Sequence, residues 1–88
     1  MPTILREDGF VVRLHGPPRE HPPPHVHVHC GPEGMVVIRL ATLDAPVTVL
    51  AVFRMKDRDV LKAIRVVERA HRLIELAWRN FHGASSPD

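Results

Sequence analysis

The chain has 88 residues, which excludes a second domain and limits folding to removing roughly 60% of the unfolded chain's surface from water. Apolar residues make up 44% and charged residues 25%, a globular balance that argues against intrinsic disorder. The formal charge of +2 is unevenly spread, with net −1 in residues 1–44 and net +3 in residues 45–88, a bias common to nucleic-acid proteins and to solvated helix surfaces alike.

In chain order, residues 3–6 form a short strand candidate, and Asp8-Gly9 is a strong hairpin turn signal. Residues 10–15 alternate, which sets Phe10, Val12 and Leu14 on one face of a second strand. Pro22-Pro23-Pro24 fits neither helix nor interior strand and favours polyproline II. Residues 25–30, HVHVHC, alternate without a break. Gly31-Pro32-Glu33-Gly34 suits a type I turn. Residues 35–41 then form the returning strand, and the β-branched run 47–53 is a further one.

The remainder reads as one long helix. Asp57 or Asp59 is positioned to cap its start and Gly83 to close its end. At helical spacing Val60, Ile64, Val67, His71, Ile74, Trp78 and Phe81 share one stripe, while Lys62, Arg65, Arg69, Arg72 and Arg79 lie off it. Leu73 and Leu76 also lie off the stripe, among the charges, where paired leucines suggest contact with a partner. The expected fold is α+β: a small antiparallel sheet of three to five strands packed against one long C-terminal helix. Residues 1–83 would form the single domain and residues 84–88 a disordered tail.

Seven histidines give the sequence its chemical character. On an extended strand His25, His27 and His29 share a face, within reach of one metal ion or one phosphate. A His-x-His pair needs a third ligand to make a catalytic metal centre, and His15, His71 and Glu75 are the candidates. Metal-free acid–base chemistry needs only imidazoles and a cation such as Arg13 or Arg72 to hold phosphate. A polar strand face with no chemistry accounts for the same pattern. Pairing Cys30 with Met35 across a four-residue turn would put the histidines on the core face, opposite Val36 and Ile38, with His71 of the helix brought towards His27. A one-residue bulge would reverse the parity and put them outside, beside Arg39; the inner register is the expectation.

Other chemistries find no support. The chain has no Gly-rich phosphate loop and no cysteine- or serine-based catalytic signature. One cysteine, Cys30, rules out an internal disulfide and multi-cysteine zinc motifs, and reads as core. With 5% aromatics, recognition by base stacking is disfavoured. No apolar run is long enough to cross a bilayer, and the start of the sequence lacks the apolar core of a signal peptide, so a cytoplasmic location is expected.

Met1-Pro2-Thr3, Gly9-Phe10, Pro23-Pro24-His25-Val26-His27-Val28 and the terminal His71-Arg72 with Trp78 resemble the domain-of-unknown-function 4160 family of small bacterial proteins. The resemblance spans residues 1–82 and is most specific at Pro-Pro-His-x-His; Pro22 and His29 go beyond the family pattern. It implies no established activity. It implies one half of a small two-gene module, toxin–antitoxin-like, and points to His25, His27, His71 and Arg72.

The leading expectation is thus a toxin-type component acting on RNA without a metal. His27 and His71 would form the acid–base pair, His25 would assist, Arg72 would clamp phosphate, and a small cognate protein would bind around Leu73 and Leu76. The first alternative is a zinc or other divalent-metal protein with His25, His27 and His71 as ligands, or Glu75 in place of His71. The second is a non-catalytic, antitoxin-type binding module.

Overall fold

The computed structural model describes residues 3–14, 25–42 and 45–82. Among them are five strands and two helices: β1 (Thr3–Glu7), β2 (Phe10–Leu14), β3 (His25–Cys30), β4 (Gly34–Arg39), β5 (Thr48–Phe53), α1 (Asp57–Arg69) and α2 (His71–His82). The strands form one antiparallel meander in the order β1-β2-β3-β4-β5, so every neighbour in space is a neighbour in sequence.

The α+β expectation holds, with two corrections. The first concerns the helix. Its hydrogen-bond ladder runs on through Ala70, whose N–H donates to Val66 O and whose carbonyl accepts from Ile74 N–H at 2.9 Å. Yet Ala70 itself sits at φ −99°, ψ 14°, and one long helix becomes two segments. The bend has a packing reason. α1 lies against β4 and α2 against β1, so a turn at Ala70 lets one helical stretch run across the same face of the sheet from β4 to β1. Asp57 and Asp59 lie in the first turn, where they complement the helix dipole, but Lys56 is the N-cap and no side chain caps there.

The second correction concerns register. Cys30 pairs with Gly34, not Met35, across a three-residue loop. His25 therefore faces Arg39, His27 faces Val37 and His29 faces Met35, while Val26 and Val28 face Ile38 and Val36. The inner register is overturned, and the histidines lie on the face away from the core. Gly34 explains the difference. A Cβ there would stand 2.7 Å from the Cys30 carbonyl oxygen and 2.9 Å from Met55 Cγ, so this glycine is a strand residue at a close approach rather than the end of a turn.

The Asp8-Gly9 hairpin is as expected. Both residues have positive φ, 55° and 82°, the type I′ geometry that matches the twist of the strands it joins. It sets Phe10, Val12 and Leu14 inward, where they meet Val26, Val28, Val36, Ile38 and Leu40. Ala63, Val66, Val67 and Ile74 cover that layer from the helices, and Val60, Ile64 and Trp78 pack at its margin. Each fully buried Val, Leu, Ile or Phe among them contributes roughly 1.5–3 kcal/mol by leaving water. Cys30 is half-buried against this core, as expected of a small apolar residue. His15, Pro22-Pro23-Pro24, Gly83 and residues 84–88 lie outside the described residues, as does the side chain of Phe81.

Candidate functional site: the histidine face of the sheet

The face opposite the helices is built by alternation. β3 contributes His25, His27 and His29. Register then sets Arg13 of β2 beside His27 and Arg39 of β4 beside His25. Two imidazoles and two guanidinium groups thus occupy neighbouring positions on three adjacent strands. Val11 and Met35 flank His29, and Arg6 lies across from Val11 on β1. No Asp or Glu among the described strand residues falls on this face. The described ion pairs lie elsewhere: Arg54 with Glu33, and Arg69 with Glu7 and Asp8.

Local contacts orient these groups. The rings of His25 and His27 are 5.7 Å apart, centre to centre. His27 Nδ1 lies 3.3 Å from the Met35 thioether sulfur. A thioether has no hydrogen to give, so this is a hydrogen bond only when Nδ1 carries the proton. In that tautomer the second ring nitrogen, Nε2, is the one that carries the lone pair a general base uses. Arg39 donates to Thr48 Oγ1 at 3.0 Å, and that hydroxyl donates on to the Pro46 carbonyl. Arg13 Nε is buried and has no hydrogen-bond partner among the described residues.

His25 stands at the start of β3, where Trp78 of α2 reaches it with ring centres 5.7 Å apart. This contact ties the end of the histidine strand to the last helix. Sequence periodicity placed Trp78 on the inner stripe but gave no sign that it would meet a histidine.

His71 is not brought to His27. It opens α2, whose Ile74 is buried in the core, so it belongs to the helical layer on the other side of the sheet. His71 is half-buried, and its Nε2 has no hydrogen-bond partner among the described residues. Arg72 is exposed on α2, as are Glu75, Leu73 and Leu76. Among the described residues, no three His, Cys, Asp or Glu side chains converge as a metal site requires. The residues that replace His71 and Arg72 beside the strand histidines are Arg13 and Arg39. Their alternation with Val12 and Ile38 is visible in sequence, but their pairing with β3 depends on the register.

On the helical side, Lys62, Arg65 and Arg69 line a cleft of about 430 Å³ together with Asp8. Arg69 is held there by Glu7 at 2.6 Å, so the cleft is mixed in charge, unlike the histidine face. No helix among the described residues is long and apolar enough to cross a membrane.

The fold and site define a class: a small meander sheet, covered by helices on one face and carrying imidazole and guanidinium groups on the other. The chain belongs to the domain-of-unknown-function family DUF4160, whose family model matches residues 9–79. That span covers β2 to α2 and includes every residue of the His25–His27–Arg13–Arg39 cluster. No curated protein and no solved structure matches the chain.

Proposed function

We propose that this protein acts on RNA through its histidine face, as the effector half of a two-protein module. The observation that carries this reading is the cluster of His25, His27, Arg13 and Arg39 on a face whose described strand residues include no carboxylate. Guanidinium groups with no acidic partner attract phosphate and hold it by charge-assisted hydrogen bonds. Phe53 is the single aromatic among the described strand residues of this face, so contact is with the backbone and tolerates sequence.

The chemistry that suits the cluster is transphosphorylation. His27 Nε2 takes the proton from a 2′-hydroxyl, whose oxygen attacks the adjacent phosphorus. The bond to the 5′-oxygen breaks, and protonated His25 supplies that oxygen with a proton. The products are a 2′,3′-cyclic phosphate and a free 5′-hydroxyl. Arg13 and Arg39 balance the charge gathering on the phosphoryl oxygens. The pair is thus His25 and His27, rather than His27 and His71. A small protein partner binds the exposed helix surface at Leu73 and Leu76, which leaves the sheet face open.

The test is cleavage and binding of an end-labelled single-stranded RNA. Wild type yields a cyclic-phosphate product. His27→Ala abolishes cleavage and keeps binding, and the double variant Arg13→Ala/Arg39→Ala weakens binding and lowers its salt slope by about 1.4, or about 0.7 per lost phosphate contact. Wild-type protein that neither binds nor cleaves RNA at low salt would overturn the proposal.

A further inference from the structure

The two edges of the sheet are unlike. β1 carries Arg6 and Glu7, is pinned to α1 by the Glu7–Arg69 ion pair, and is packed by α2. β5, with the sequence TVLAVF, has no charge and no proline. Its outer edge has no strand partner among the described residues, and Leu50, Val52 and Phe53 are 52%, 45% and 50% exposed. An edge strand left to solvent is normally blunted by charge, proline, a bulge or a covering element, because its unpaired backbone groups invite another strand; of the devices its own sequence could supply, β5 has only the bulge.

We propose that this protein is a two-fold symmetric dimer, in which β5 pairs antiparallel with β5 of a second copy and two five-stranded sheets become one of ten strands. A two-fold contact sets residue i against j and j against i, so an unmatched charge near the axis would come close to its own copy. β5 has none to meet.

The bulge in β5 then fixes the register. Pairing to β4 shifts between Val37 and Ile38, leaving Leu50 as the extra residue. Thr48, Ala51 and Phe53 consequently lie on the histidine face, and Val49 and Val52 on the core face. In a regular strand Thr48 and Phe53, five positions apart, would point to opposite sides. Here they share a side. Thr48 can therefore oppose Phe53 of the partner subunit while Val49 opposes Val52 of the partner subunit, each pair keeping its face. An axis through Leu50 or Ala51 would instead set core-face residues against histidine-face ones. The bulge makes β5 complementary to itself over its full length in this register, and the pairing shields part of Val52 and Phe53 from solvent. The inference does not depend on what the histidine face binds.

The test is the mass of the full chain by light scattering over a wide concentration range. The expected value is twice the 9.9 kDa of one chain. Val52→Lys and Leu50→Lys should each return the single-chain mass with an unchanged circular dichroism spectrum, and Leu73→Asp should leave the dimer intact. Amide hydrogen exchange on the unmodified protein gives a reading that needs no variant: β5 protection should rise with protein concentration. A single-chain mass at every concentration would overturn the proposal. So would a dimer that survives both edge variants, or β5 exchange that ignores concentration.

Discussion

Val28→Ala and His27→Ala, neighbours on β3, should have very different costs, because register sends one inward and the other outward. Val28 is 0% exposed and sits at the centre of the apolar layer. Shortening it removes two buried carbon groups, at about 0.8 kcal/mol each, and leaves a cavity that adds roughly another 1 kcal/mol. The expected loss is thus about 2–3 kcal/mol. Against a total of roughly 4–13 kcal/mol for a domain of this length, that is a large fraction. It corresponds to a fall in Tm on the order of 10–20 °C. His27→Ala removes a half-buried ring and its thioether contact and should cost less than about 1 kcal/mol. Urea unfolding followed by circular dichroism measures both. A larger loss for His27→Ala than for Val28→Ala would refute the outward register, and with it the site.

Two glycines give a second contrast. Gly34→Ala places a Cβ against the backbone of Cys30 and should cost roughly 1–3 kcal/mol in urea unfolding, whereas Gly9→Ala meets no atom and should lose only about 1 kcal/mol, from its positive φ. Ile74→Ala removes the one α2 side chain that is fully buried among the described residues and should cost about 2–5 kcal/mol, with Trp78 fluorescence shifting to the red as the helix loosens. Arg69→Ala breaks ion pairs whose members are 38–66% exposed, so its effect should stay under about 1 kcal/mol and vanish at high salt. His25→Ala should change Trp78 emission while Leu76→Asp leaves it unaltered, as read in steady-state spectra.

Much of the sheet was legible because alternation and turn chemistry agree. Phe10, Val12 and Leu14 alternate with polar partners, and Asp8-Gly9 admits few turns other than the one found. HVHVHC likewise announced that the histidines share a face. Which face was decided by one residue in the loop. Gly31 and Gly34 both read as turn glycines, but only Gly31, at φ 69°, is used as one. Gly34 is needed for space, and the atoms that crowd it include Arg54 and Met55, twenty residues away. Sequence spacing carries no trace of that crowding. The bend at Ala70 was equally hidden, since neither proline nor glycine marks it and its cause lies in the width of the sheet below. Without these two facts, spacing alone groups His71 with His27. Once register is known, Arg13 and Arg39 follow from counting.

The meander also has a kinetic meaning. Because each strand pairs with the one before it, a chain emerging from the ribosome can add β2 to β1, then β3, β4 and β5, closing no connection longer than the ten residues between Leu14 and His25. The helices that cover the apolar layer come last, from Asp57 onward. A nascent chain that stalls before that point holds a finished sheet with Val12, Val28 and Ile38 bare to water. Its risk is not failure to form strands but the adhesiveness of strands formed too soon.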